Sequence, residues 1–130
     1  MSPLLPKIVS VTLIVAAVVH LLPLAGVLGA ARLEALYALP FSEPNLLILM
    51  RHRAVLFGLL GVFLMLAAFR PALQGYAFAA GLCSVIAFLW LALSAGNYNA
   101  ALARVLAADV VALLALLVGL SLHVWARLGR

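Results

Sequence analysis

Residues 54–69 read AVLFGLLGVFLMLAAF, a run of sixteen residues that contains no charged side chain. An α-helix needs roughly 20 apolar residues to cross the ~30 Å hydrocarbon core of a bilayer, and the run reaches that length if its helix starts near Pro44. Arg70-Pro71 follows the run, and because proline disfavours helical geometry in the residue before it, we expect the helix to end there. The sequence therefore predicts a membrane-spanning helix over residues 44–69.

Three further segments have the same apolar character, at residues 8–28, 72–94 and 99–126. The longest connection follows the first of them and contains a short helical pattern around Arg32–Leu39, which Pro40 ends. Four long apolar helices with short connections leave no room for a soluble domain. We therefore predict an all-α fold, an integral membrane four-helix bundle that forms a single transmembrane domain over residues 1–130.

The composition excludes several classes of protein. Of the 130 residues, 69% are hydrophobic and 8% are charged, and the mean hydropathy is +1.34. A soluble domain is about half apolar and a quarter charged, so a cytosolic enzyme and a disordered protein are excluded. The net charge of +5 comes from scattered basic residues, which excludes a nucleic-acid-binding face. Cys83 is the only cysteine, so no disulfide forms within the chain, and we expect this residue to pack as a small apolar side chain.

An even number of membrane crossings places both termini on one side. That side holds basic residues without an acid, and the positive-inside rule then favours the cytoplasm for it. The residues concerned are Lys7, Arg70, Arg127 and Arg130. We expect membrane lipids as partners, leave open a homo-oligomer or a larger membrane complex, and expect no nucleic acid.

Ionisable side chains within the apolar segments point to a candidate site. A charge in a bilayer costs roughly 2.5–3.5 kcal/mol even on the lenient insertion scale, so such a residue has a partner or a function. Several of them fall at one depth, in the half of the bundle away from the termini. The candidate ligand-binding residues are His20, Arg51, Arg53, Arg104 and Asp109, with Glu34, Glu43 and Tyr98 as candidates for the mouth of the pocket.

Two interpretations of this group stay open. In the first, Asp109 forms an ion pair with Arg51 or Arg53, and the group only locks the second long helix to the fourth. In the second, the arginines line a polar pocket whose surplus positive charge suits a phosphate, a carboxylate or a lipid headgroup. Arg51 and Arg53 lie about 200° apart around a helix, so one faces the bundle and the other the headgroups. The sequence does not say which.

No cofactor, metal or catalytic residue is predicted. Two histidines at similar depth on facing helices would be needed for a bis-histidine haem, and His20 and His123 lie towards opposite ends of the bundle. No HxxxH or HxxE spacing is present that would indicate a metal site. His20 lies three residues before Pro23, where a loosened helix frees backbone carbonyls, and we expect such a carbonyl to satisfy it.

The chain resembles a family of small four-helix bacterial membrane proteins. The resemblance rests on NLLILMRHR at residues 45–53 with the run after it, on GNYNAALARVLAADVVAL at residues 96–113, and on HLLPLAGVLG at residues 20–29. It implies a four-helix architecture and a bacterial inner membrane, and the organisation is more distantly similar to DoxX-like membrane proteins. Members often carry the label phosphopantetheine adenylyltransferase. That name belongs to a soluble enzyme with a nucleotide-binding α/β domain, which this chain lacks, so we do not expect nucleotidyl transfer.

Three hypotheses for function follow. We favour a non-enzymatic bundle that binds a lipid, a quinone or an amphiphilic anion in the polar pocket, or that serves as an accessory subunit. The second hypothesis is a small membrane enzyme that uses His20 or Asp109 as an acid or base. The third is a transporter formed by oligomerisation.

Overall fold

Prolines and capping residues set the ends of several helices in this chain. The computed structural model describes residues 2–129. Within that range the chain is helical and has no strand, so the prediction of an all-helical fold is confirmed. A 3-10 helix over Leu22–Leu28 continues the first α-helix. The α-helices are α1 (Leu4–Leu21), α2 (Ala30–Tyr37), α3 (Pro44–Ala68), α4 (Pro71–Ala95) and α5 (Ala100–Leu128).

The first long segment differs from its predicted span of residues 8–28. It starts at Leu4, because Pro6 falls in the first turn, where no backbone N–H is needed for an intrahelical bond. Its α-helical part ends at Leu21 and seven residues of 3-10 helix follow. Pro23 explains the change, since it cannot donate a backbone hydrogen bond to Val19 and its ring crowds that carbonyl.

The four long helices form an up-and-down bundle. Helix α1 packs against α3 and α5, and α4 packs against the same two helices. Ala17 lies beside Gly61 and Ser10 beside Ala68, so α1 and α3 are antiparallel. One end, which we call the α2 end, carries α2 and the first turns of α3 and α5. The other, the terminal end, carries the first turn of α1, the link between α3 and α4, and the last turn of α5.

Small residues bring the helix backbones together. A β-carbon on Gly61 would stand 3.2 Å from the backbone oxygen of Ala17, and one on Gly119 would overlap the hydroxyl of Thr12 and stand 2.8 Å from the ring of Phe78. Close approach of backbones through small residues is typical of helices that associate in lipid. The sites that hold α1 against α3 and α5 therefore depend on glycine.

Apolar side chains cover the outside of the bundle as well as its core. Leu59 is 63% exposed and Trp90 is 72% exposed, and such residues recur around the long helices. Within the described residues 2–129, four helical segments are long and apolar enough to cross a membrane: Leu4–Leu28 (α1 with the 3-10 helix), α3, α4 and α5. Cys83 is exposed on this apolar outer surface and does not pack in the core.

Candidate functional site

Helix α2 is fixed across the α2 end by a small core of its own. Leu33, Tyr37 and Phe41 are buried there and pack against residues of α3 and α5. Asn99 caps α5 by accepting a hydrogen bond from the backbone N–H of Leu102 at 2.8 Å. The same side chain donates a hydrogen bond through Nδ2 to the backbone oxygen of Tyr37 at 2.9 Å. One asparagine thus starts α5 and holds the last residue of α2 beside it.

Beneath α2 lies a cavity of about 270 Å³, which we call the Arg53 cavity. Its walls come from all five α-helices and from the 3-10 helix, and they are mostly apolar. The polar or charged side chains on its wall are Tyr37, Arg53, Arg104 and Asp109.

Asp109 is nearly enclosed, with 6% of its surface exposed, and it accepts no hydrogen bond from another of the described residues. Within residues 2–129, no fully enclosed side-chain oxygen or nitrogen lacks a hydrogen-bond partner. The carboxylate must therefore open onto the cavity that it lines. The charge of Arg53 acts on it, yet no arginine nitrogen of the described chain comes within 4.0 Å to form the expected ion pair. Asp109 is an open acceptor on the cavity wall.

Arg53 is held in place by aromatic side chains. Its Nη1 donates a hydrogen bond of 2.8 Å to the hydroxyl of Tyr37, and its Cζ lies 4.5 Å from the centre of the Phe57 ring. Phe57 follows Arg53 by one helical turn, which places the ring under the guanidinium. A guanidinium carries five N–H donors, so the pairing with Tyr37 leaves others for a ligand.

Arg51 points away from the cavity. Its Nε donates a hydrogen bond of 2.8 Å to the backbone oxygen of Val27, near the end of the 3-10 helix, where carbonyls have no partner within the helix. The question that the sequence left open is thereby answered, since Arg53 faces the bundle and Arg51 lies outside it.

His20 has both ring nitrogens engaged. A carbonyl oxygen can only accept, so Nδ1 donates to the backbone oxygen of Ala16 at 2.8 Å, and in the neutral ring Nε2 accepts from the Ser84 hydroxyl at 3.2 Å. The carbonyl belongs to the intact helix one turn earlier, and is not one that Pro23 frees. His20 does not line the Arg53 cavity but stacks on Phe57, with ring centres 5.7 Å apart. His20 therefore packs against Phe57, which itself lines the cavity.

The remaining candidates are Arg104, Tyr98 and the two glutamates, and of these only Arg104 lines the cavity. Arg104 lies on the exposed side of α5 and lines the cavity. Glu43 accepts hydrogen bonds from the backbone N–H groups of Asn45 and Leu46 at the start of α3, which lowers the pKa of its carboxyl. Glu34 accepts from the backbone N–H of Phe41 at 3.3 Å. Neither glutamate lines the Arg53 cavity, nor does Tyr98, which is 38% exposed at the start of α5.

A second cavity of about 430 Å³ adjoins the first, and we call it the apolar groove. It shares Tyr37, Arg53 and Phe88 with the Arg53 cavity, and its other lining residues are apolar. The Arg53–Tyr37 pair therefore lies between a cavity that contains charged side chains and a groove whose other lining residues are apolar.

Reasoning from the sequence missed the aromatic part of the site. Charged residues in apolar segments were the signal used to predict the site. Tyr37 lies in the connection, and Phe57 and Phe88 resemble ordinary membrane-helix residues. The spacing of Arg53 and Phe57, four residues apart on one helix face, was the available signal. Within residues 2–129, no three His, Cys, Asp or Glu side chains come together as a metal site requires.

Comparisons of the chain with protein-family models, with curated proteins and with solved structures found no match.

Proposed function

We propose that the chain is a multi-pass membrane protein that binds, in the Arg53 cavity, the headgroup of an amphiphile that carries an anionic group. The observation that carries this proposal is the open carboxylate of Asp109, which shares the cavity with Arg53 without an ion pair. A carboxylate buried without a partner is costly, and it is retained where it has a use.

The apolar exterior supports a membrane location. Contiguous apolar surface on this scale is rare on soluble monomers, and lipid is the solvent that would cover it. At the α2 end, the side chains of Arg51 and Arg53 donate hydrogen bonds to Val27 and Tyr37. The terminal end has basic residues and no acidic residue. The positive-inside rule then favours cytoplasmic termini, which puts the Arg53 cavity towards the outer leaflet. The resemblance of the sequence to small bacterial membrane proteins suggests the bacterial inner membrane.

The polar groups define the headgroup chemistry. Arg53 and Arg104 are donors that suit a phosphate or a carboxylate. Ionised Asp109 can only accept hydrogen bonds, so the ligand must bring a donor close to its anionic group. A phosphoethanolamine headgroup carries both, with the phosphate for the arginines and the ammonium for Asp109.

The volumes of the Arg53 cavity and the apolar groove fit a lipid whose headgroup lies in the cavity and whose acyl chains lie outside it. Pockets for small molecules measure about 300–1,000 Å³, so a cavity of about 270 Å³ is too small for a whole lipid. The apolar groove on the other side of the Arg53–Tyr37 pair offers a place for the start of an acyl chain. A cavity with charged side chains beside an apolar groove suits an amphiphile.

The proposal is tested by comparing the binding of phosphatidylethanolamine and phosphatidylcholine that have identical acyl chains. Both carry the phosphate, but choline has no N–H to donate to Asp109. Native mass spectrometry of the purified protein, titrated with each lipid, should give about tenfold tighter binding of phosphatidylethanolamine, as expected for one charge-assisted hydrogen bond. Asp109→Asn should remove the preference, and Arg53→Gln with Arg104→Gln should weaken both lipids.

Arg32→Gln is the matched control, because Arg32 lies at the same end, is exposed and does not line the cavity. This variant should bind both lipids as the wild type does. Equal binding of the two lipids by the wild type, unchanged in Asp109→Asn, would contradict the proposal.

A second candidate is a small membrane enzyme in which Asp109 acts as an acid or base. It is favoured by the open position of the carboxylate on the cavity wall, since a catalytic group must reach its substrate. His20 is a poorer candidate, because both of its nitrogens are engaged. If this candidate holds, a bound amphiphile should change mass during incubation with the wild type and stay unchanged with Asp109→Asn.

A further inference from the structure

The terminal end of the bundle contains a separate cavity of about 610 Å³, which we call the Gln74 cavity. It lies between the first turns of α1, the link that joins α3 to α4, and the last turns of α5. None of its lining residues lines the Arg53 cavity.

Gln74 is the polar residue most deeply placed in this cavity. Its side chain is 7% exposed, and it makes no side-chain hydrogen bond to any of residues 2–129. Because no fully enclosed side-chain nitrogen or oxygen of those residues is without a partner, the amide must open onto the cavity. A buried amide without a partner costs free energy unless a ligand or water satisfies it.

Arg127 and the N-terminus of α4 supply positive charge to the same cavity. Arg127 and His123 lie one turn apart on α5 and both line the cavity. The His123 Nε2 stands beside α4, 3.9 Å from where a β-carbon on Gly75 would be. Pro71, the first residue of α4, lines the cavity too, and no side chain caps that helix end, so its positive dipole is available.

No negative side chain opposes them. The sequence has three acids, Glu34, Glu43 and Asp109, and all three lie towards the α2 end. A cavity with an open amide, a guanidinium and a helix N-terminus, and without a carboxylate side chain among residues 2–129, selects for an anion.

We propose that the Gln74 cavity binds a phosphate group, with Arg127 and the start of α4 facing its charge and the Gln74 amide donating to one of its oxygens. The phosphate belongs to an anionic lipid of the leaflet at the terminal end or to a free anion, and the two sources share this chemistry. The proposal does not depend on the function proposed for the Arg53 cavity.

The experiment uses the full chain with Arg53→Gln and Arg104→Gln, so that the other cavity does not contribute. Native mass spectrometry follows binding of phosphatidic acid, with phosphatidylcholine of the same acyl chains as reference, and phosphorus NMR follows inorganic phosphate. We expect about tenfold weaker binding of phosphatidic acid in Arg127→Gln and in Gln74→Leu. Lys7→Gln is the control: it removes one positive charge at the same end from an exposed residue that does not line the cavity, and binding should change by less than about twofold.

Gln74→Glu is the second variant, because it keeps the size of the side chain and places a negative charge in the cavity. It should abolish phosphatidic acid binding while the circular dichroism spectrum of the helices is retained. Binding of inorganic phosphate with the same response to the variants would support the site and assign it to a free anion. The proposal is overturned if neither probe binds, or if Lys7→Gln weakens binding as much as Arg127→Gln does.

Discussion

The Nη1 of Arg53 donates a hydrogen bond of 2.8 Å to the hydroxyl of Tyr37, and this bond joins the longest connection of the chain to the centre of α3. The pair has the Arg53 cavity on one side and the apolar groove on the other. Because Asn99 holds the backbone of Tyr37 from the α5 side, the position of the guanidinium depends on both neighbouring helices. The cavity that Asp109 lines therefore contains an arginine whose direction is set by a tyrosine.

Tyr37→Phe removes the acceptor and leaves the ring in place. We expect the free energy of unfolding to fall by about 1 kcal/mol, the net contribution of one hydrogen bond. Binding of phosphatidylethanolamine should weaken about fivefold, because Arg53 is then free to leave the cavity wall. Native mass spectrometry and thermal unfolding in detergent measure the two effects. Tyr98→Phe changes a tyrosine outside the cavity and should affect neither, and a wild-type affinity in Tyr37→Phe would refute the positioning role.

Asp109→Asn separates a binding role from a structural ion pair. Removing one partner of a buried ion pair destabilises a protein by roughly 3–5 kcal/mol, because the other charge is left unpaired. No such pair forms here among the described residues, so we expect the unfolding free energy to change by less than about 1.5 kcal/mol. Chemical denaturation in mixed micelles measures the difference. A loss of about 3 kcal/mol or more would mean that Asp109 is paired in the folded protein.

Glycine at position 119 allows α1, α4 and α5 to approach. In Gly119→Ala the new β-carbon overlaps the Thr12 hydroxyl and stands 2.8 Å from the ring of Phe78. Overpacking of this kind costs typically 1–3 kcal/mol, and we expect a loss of unfolding free energy in that range. Gly75→Ala serves as the comparison, because its β-carbon meets nothing closer than 3.9 Å. That variant should be neutral or more stable by up to about 1 kcal/mol, since alanine favours the helix.

Glu43 makes the start of α3 sensitive to acid. Hydrogen bonds from the backbone N–H groups of Asn45 and Leu46 hold the pKa of its carboxyl below the ordinary value of 4.5. A carboxyl whose pKa is lowered by folding stabilises the folded state above the unfolded pKa, and this contribution is lost as the pH falls through the lowered value. Thermal unfolding of the wild type and of Glu43→Gln should therefore differ at about pH 7, and the difference should shrink as the pH falls to about 3. A difference that stays constant over this interval would argue against the cap.

The fold was largely predictable because its signals are local. Long apolar runs and the prolines at positions 44 and 71 define the helices without any knowledge of the packing. The 3-10 helix after Leu21 was not foreseen, since the apolar pattern continues across Pro23 while the backbone changes its hydrogen bonding. The exposed position of Cys83 was not predictable, because hydropathy does not distinguish a core position from a surface that is also apolar.

The candidate site was predictable in location and less so in its contacts. Helical spacing places Arg53, Arg104 and Asp109 at one end of the bundle, and the Arg53 cavity contains all three. The direction of Arg51, the open carboxylate of Asp109 and the role of Tyr37 depend on how α2 folds over the bundle. These are contacts between distant segments, which periodicity does not encode. The Gln74 cavity was not predicted, because the site was sought from charged side chains and the Gln74 amide carries no charge.

The most direct test of the account is the mass of what the protein carries when it is extracted gently from the membrane in which it is made. Native mass spectrometry of the wild type should find one phosphatidylethanolamine bound per chain, and Arg53→Gln combined with Arg104→Gln should lose it. Arg32→Gln should retain it. A wild-type protein that carries no lipid, or that carries the same lipid when both cavity arginines are replaced, would contradict the claim that the Arg53 cavity binds an amphiphile.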